Sequence, residues 1–227
     1  MAKPYFTRSL FTFLKDLAAN NDRDWFQANK DRYESDLRQP AIQFIVDFGP
    51  HLGKISRRFT VDPRPSGGSL FRIHRDVRFS KDKSPYKTHA AIQFRHEAGK
   101  DAHAPGFYLH LEPGNCGVAA GVWRPPTPAV RAIREAIAAQ PKKWQSIIDQ
   151  GEQAGLGRFG EQLKRVPAGY PKDHPLADEL RWKDYGYWQP MKQQDIVAPD
   201  ALERIAGVYQ DTKPMMKFLC EAMDQPF

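Results

Sequence analysis

Two cysteines in 227 residues, Cys116 and Cys220, are too few to staple a fold with disulfides or to build a cysteine-based zinc cluster. Both stand among apolar neighbours, so buried and reduced thiols are expected. Long apolar runs are also missing, and none approaches the ~20 residues that span a bilayer. The run Leu10-Phe11-Thr12-Phe13-Leu14 is cut by Lys15 and Asp16 before it could serve as the apolar segment of a signal peptide. A reducing cytoplasmic location with no membrane partner is the expectation. No Walker P-loop, no dinucleotide glycine fingerprint after a strand, no Gly-x-Ser-x-Gly and no His-Glu-x-x-His is found, so the standard enzyme signatures give no lead. Internal repeats and low-complexity tracts are absent too. What remains is an ordinary globular composition, 41% hydrophobic and 27% charged, with ample material for a core. The net charge of +7 favours acidic partners only weakly.

The apolar period is helical in the first third. Leu10, Phe13, Leu14 and Leu17 recur at i, i+3, i+4 and i+7, and Asn20-Asn21 supplies a stop. A second helix starts at Asp22, a good capping residue, and carries Trp25, Phe26, Asn29 and Tyr33. Pro40 opens a third helix with Ile42, Ile45, Val46 and Leu52 inward, which Gly49-Pro50 should kink or break. After a Pro- and Gly-rich loop over 62–68 the period becomes two. Residues 71–79 set Phe71, Ile73, Arg75, Val77 and Phe79 against Arg72, His74, Asp76 and Arg78, the pattern of a half-buried strand. Further strands are expected at 88–95, 106–112 and 116–124, joined by tight turns into an antiparallel sheet.

Helices then return. Thr127-Pro128 opens one with Val130, Ile133 and Ile137 inward, and Pro141 restarts the chain into Trp144, Ile147 and Ile148. Between 151 and 190, Gly, Pro and aromatic residues interrupt the pattern, so short helices in a surface excursion are expected there. Two closing helices, over 200–209 and 213–223, carry Leu202, Ile205, Val208, Met216 and Leu219. Helices, then strands, then helices give an α+β fold, with a central antiparallel sheet of about four strands flanked by N-terminal and C-terminal helices, in one domain over 1–227.

Charge is distributed unevenly. Between Arg72 and Arg95 seven lysines and arginines face two aspartates, an excess of five positive charges in a chain whose total is +7. Such clustering needs a compensating partner, either internal carboxylates or an external anion. Arg72, Arg78, Lys81, Lys83 and Lys87 on this basic hairpin can surround a phosphate or carboxylate, arginines as bidentate forks and lysines as point charges. Asp76 would orient an arginine or act as a base. Arg75 shares a face with Phe71 and Val77 and is expected in a buried ion pair. The competing reading pairs the hairpin internally with Asp76, Asp82 and carboxylates of the helices. Anion binding ranks slightly ahead.

Three further constellations carry less weight. Tyr108, His110 and Glu112 alternate along one strand and could bind a divalent metal or move protons, with Asp76 the other weak catalytic candidate. Two residues make no metal signature, so no metal ligand is assigned, no cofactor is named, and a hydrogen-bonded polar sheet face is favoured. Phe71, Phe79, Tyr86, Phe94 and Tyr108 near bases invite a nucleic-acid reading, but the alternation places Phe71 and Phe79 in the core. Non-specific backbone contact through Lys81, Lys83 and Lys87 is the lesser alternative. Finally, Lys164, Arg165, Lys172, His174, Arg181 and Lys183 are interleaved with Tyr170, Trp182, Tyr185, Tyr187 and Trp188. They would either close a cleft over the hairpin or pin an irregular segment to the body, and pinning is favoured.

The central run Phe71-Arg72-x-x-Arg75-Asp76-Val77-Arg78-Phe79-Ser80-Lys81-Asp82-Lys83-Ser84-Pro85-Tyr86-Lys87 resembles the signature of the family catalogued as domain of unknown function 2461. Asn20-Asn21 with Trp25-Phe26, Tyr108-Leu109-His110-Leu111-Glu112-Pro113, and Leu163-Lys164-Arg165 leading to Pro167-x-Gly169 and His174-Pro175 agree with it. The resemblance spans nearly the whole chain and implies kinship without an activity. The functional expectation therefore rests on the residues: an anionic small molecule or phosphate-bearing ligand held by the basic hairpin. The alternatives are an enzyme acting on a phosphorylated substrate and a structural or protein-interaction module.

Overall fold

The computed structural model describes residues 3–99 and 103–227. Helix α1 (Arg8–Ala19) buries Leu10, Phe13, Leu14 and Leu17 as the periodicity requires, and the Asn20 amide closes it by bonding back to Asp16 and Leu17. At α2 (Arg23–Ala28) the Asp22 carboxylate accepts the Trp25 N–H at 2.8 Å, the cap that its residue type predicts. The chain then passes through α3 (Lys30–Arg32) and a π-helical turn (Tyr33–Arg38) into α4 (Gln39–Ile55). Contrary to expectation, α4 runs unbroken through Gly49-Pro50. Pro50 leaves the Val46 carbonyl without its helical donor. Val46 is also not inward; it is 47% exposed, on a side of the helix where water can reach.

The sheet is five-stranded and antiparallel throughout, in the order β1-β2-β3-β5-β4: β1 (Ala90–Arg95), β2 (Gly106–Leu111), β3 (Cys116–Val122), β4 (Gly157–Arg158) and β5 (Tyr185–Met191). The fold is α+β with helices against this one sheet. Its membership differs from expectation in two places. Residues 71–79 form no strand, and Phe79 is 96% exposed instead of buried. The charge at Arg75 interrupts the apolar face, and the segment makes only isolated bridges, Leu70 with Ile92 and His74 with Tyr86. Its backbone covers the outer edge of β1, with the Phe71 N–H bonded to the Ala91 carbonyl and the Gln93 N–H to that of Ser69. Conversely β4 and β5 both lie within the segment expected to be a helical excursion; in β5, Tyr185-x-Tyr187 carries the inward alternation that Gly186 and Pro190 obscure.

One face of the sheet carries the core. Ile92, Phe94, Phe107, Leu109, Val118 and Ala120 pack with α1, α4 and α9 (Ala201–Asp211). Val122, Tyr185 and Tyr187 on the same face pack with α5 (Thr127–Ala139), α6 (Pro141–Gln153), α7 (Ala177–Leu180) and α10 (Lys213–Ala222). A short α8 (Gln193–Ile196) links β5 to α9. Leu202, Ile205, Met216 and Leu219 are buried as expected, and both cysteines are buried and free. Among the described residues no helix is long and apolar enough to cross a membrane. With the helices on one face, the other is left for Ala91, Gln93, Gly106, Tyr108, His110, Ala119, Gly121 and Trp188.

Candidate functional site

The register decides what the open face looks like. Ala91 lies opposite His110, Gln93 opposite Tyr108, Tyr108 opposite Ala119, and Ala119 opposite Trp188. Ala91, Gly106, Ala119 and Gly121 contribute almost no side chain, so the face is hollowed along its middle. Aromatic rings stand around the hollow: Phe71 from the edge segment, Tyr108 from β2, Trp123 beyond β3, Phe159 beyond β4 and Trp188 from β5. Two glycines seat two of these rings. A Cβ at Gly117 would lie 2.3 Å from the Trp188 ring, and one at Gly186 would lie 2.4 Å from that of Phe159. The result is a cavity of about 470 Å³ to which Lys87, His89 and Gln93 add polar groups. That volume suits a small-molecule ligand.

Beside the cavity runs a chain of polar side chains. Tyr108 Oη lies 3.0 Å from His110 Nδ1, His110 Nε2 lies 3.1 Å from Glu112 Oε2, and Asn115 Nδ2 donates to the same carboxylate oxygen at 3.0 Å. The His89 ring sits 4.6 Å from that of His110. Burial, with the neighbouring His110, pushes His89 down to about 4, so its imidazole is neutral at physiological pH. Burial also pushes Glu112 up, but hydrogen bonds from His110 and Asn115 outweigh it and leave the carboxyl below its usual range. The Tyr108 phenol is raised to about 12 by burial and the Glu112 charge. Lys87 is lowered by burial and by Arg72; its ammonium donates to the Arg72 carbonyl at 2.7 Å and lies 5.5 Å from the centre of the Phe71 ring.

The basic hairpin is dispersed by comparison. Arg78 grips Asp76 through two bonds of 3.0 and 2.7 Å, which holds Asp76 down at about 2. Arg75 pairs with Asp82, but the pair is not the buried one expected: the Arg75 side chain is half-buried and Asp82 is exposed, because this segment lies at the surface beyond the edge of β1. Lys83 donates to the Val77 carbonyl at 2.9 Å. Arg72 and Lys81 are exposed. Of the five expected ligand-binding residues only Lys87 lines the cavity, where it is joined by His89. A second recess of about 340 Å³, lined by Asn21, Arg75, Asp82 and Ser84 among others, shares Lys87 and His89 with it.

The model of a family described as conserved hypothetical protein (DUF2461) matches residues 9–218. The chain belongs to this family. No curated protein and no solved structure matches it. In this family member the matched span includes all five strands, the basic segment and every residue that lines the cavity.

The second aromatic and basic cluster divides. Arg158 and Glu179 form an ion pair of 2.5 Å beneath Trp144 and Trp182, whose indole N–H groups both reach Glu179. Arg181 pairs with Asp178 and Lys183 with Glu161. These ion pairs are internal to the segment; Trp144 of α6 and Arg134 of α5, bonded to Glu179 and the Trp182 carbonyl, together with the buried Tyr185 and Tyr187, pin it to the body. Trp188 instead walls the cavity. His89, Trp123 and Phe159 were missed as site residues, and the signal for His89 was parity: it precedes Ala91 and Gln93 by two and four, so all three face the same side.

Proposed function

We propose that this protein binds a small molecule with a flat apolar body and an anionic group, phosphate or carboxylate, in the cavity on the open face of the sheet. The carrying observation is the combination of five aromatic residues with a half-buried lysine in one concavity of about 470 Å³. Rings sandwich a planar body, and Lys87 supplies the counter-charge in surroundings that screen it less than water would. The basic hairpin enters this reading through Lys87. The internal pairing of Arg75, Arg78 and Lys83 favours a structural role for the rest. Asp76, exposed and held acidic by Arg78, is a poor base, which weighs against the reading as an enzyme built on that residue. Two buried thiols accord with a reducing, cytoplasmic setting.

The test is a thermal-shift panel of aromatic carboxylates, nucleotides, sugar phosphates and short single-stranded nucleic acids, run with chelator present. At ~100 times its dissociation constant a ligand adds about 2.7 kcal/mol of apparent stability. Lys87→Ala removes a charge-assisted bond worth about 1.5–3 kcal/mol, an affinity loss of about ten- to a hundredfold. Lys81→Ala/Lys83→Ala should leave that affinity unchanged. A ligand lost in the double variant and kept in Lys87→Ala would return the site to the exposed loop. A response to nucleic acid alone, steeply salt-dependent, would replace the small-molecule reading.

A further inference from the structure

We propose that His89, His110 and Glu112 form a binding site for one divalent transition metal ion of the zinc class, beside the cavity. Each residue offers one ligand atom, and these atoms lie within 4.8 Å of one another. All three sit on the open face by strand parity, and the pairing of Ala90 with Leu111 places His89 and Glu112 at the next position along the same ladder. The sequence offered only the pair His110 and Glu112; His89 is 21 residues from His110, and only the register joins it to them.

The geometry is close to ready. The 3.1 Å between His110 Nε2 and Glu112 Oε2 approaches the edge of about 3.3 Å in a tetrahedron with metal bonds of about 2.0–2.1 Å. The widest separation needs to close by at most about 1.5 Å to reach that edge, a rotation of one ring or of the carboxylate. Two imidazoles with one carboxylate are a donor set that zinc and iron(II) accept, and three protein ligands leave a position open. Orienting partners are in place. Asn115 fixes the Glu112 carboxylate, and Tyr108 engages the far nitrogen of His110. With Nε2 on the metal, the ring proton resides on Nδ1, 3.0 Å from the Tyr108 oxygen that would accept it.

The experiment is a calorimetric titration of the untagged full chain with zinc(II) alone, repeated with cobalt(II) and read by visible absorption. The expected result is one equivalent bound, with cobalt bands of a low-coordinate site. Binding should be abolished in His110→Ala and Glu112→Gln and weakened in His89→Ala. Tyr108→Phe and Asn115→Ala should each cost about 10–100-fold in affinity. His74→Ala, at an exposed histidine outside the cluster, should change nothing. Apo-state circular dichroism establishes that each variant is folded, and the wild-type cobalt spectrum reports the coordination sphere even if one variant is not. No stoichiometric binding by the folded wild type, or binding that survives Glu112→Gln and His89→Ala, overturns the proposal. Because the metal is used alone, and the ligand panel is run in chelator, either reading can fail without the other.

Discussion

Replacing Glu179 with alanine should destabilise the protein more than any surface change. Glu179 accepts from Arg158 at 2.5 Å, from the Trp144 indole at 2.8 Å and from the Trp182 indole at 3.3 Å. The Arg158 side chain is only 13% exposed, lies 4.8 Å from the Trp182 ring centre, and has no other partner for Nε or Nη2 among the described residues. Glu179→Ala therefore strands a guanidinium and two indole N–H groups. Breaking a buried pair by removing one partner costs about 3–5 kcal/mol. Against a total of about 5–15 kcal/mol for a typical domain, the urea midpoint should fall conspicuously with an unchanged slope. Arg158→Met/Glu179→Leu should recover part of the loss, because the charge is gone while the indoles remain unpartnered. A loss below about 1 kcal/mol for Glu179→Ala, the range of exposed pairs, would refute the view that this hub fixes the segment between α6 and β5.

Three other substitutions bear on the site and its surroundings. Phe79→Ser should change stability by less than about 0.5 kcal/mol in chemical denaturation, since the ring is almost wholly exposed where the sequence pattern placed it in the core. Gly117→Ala should cost about 1–3 kcal/mol and shift the emission of Trp188, because the added methyl carbon would sit 2.3 Å from that ring; an unaltered spectrum would show that the ring is not seated on this glycine. The Asp76–Arg78 pair should make stability depend on pH only in acid. Asp76 is held at about 2 in the folded chain, below its ordinary value of 3.8, so its contribution is complete above 3.8 and disappears as pH falls toward 2. Asp76→Asn should flatten that part of the pH–stability curve, and an unchanged acid limb would count against the pair.

Local signals in the sequence determined most of the helices, three of the strands and the burial of residues such as Leu14, Ile205 and Leu219. A helix or strand that buries one face must repeat its apolar residues at its own period, and that repeat is visible without knowledge of the partner. The alternation of Tyr108, His110 and Glu112 was readable for the same reason, as was the capping of α2 by Asp22. The tertiary structure decided the rest. It turned residues 71–79 into an irregular edge cover despite their period of two, because a strand needs a partner along its whole length and Arg75 with its neighbours denied it a core. It drew Tyr185–Met191 into the sheet from a segment whose glycines and prolines masked the strand. It gathered Lys87, His89, Tyr108, Trp123, Phe159 and Trp188 around one hollow. Register and strand order are properties of pairs of segments distant in sequence, and no single stretch carries them. The hollow exists because small residues on three strands fall side by side, so its volume and the meeting of His89 with Glu112 are set only when the strands pair.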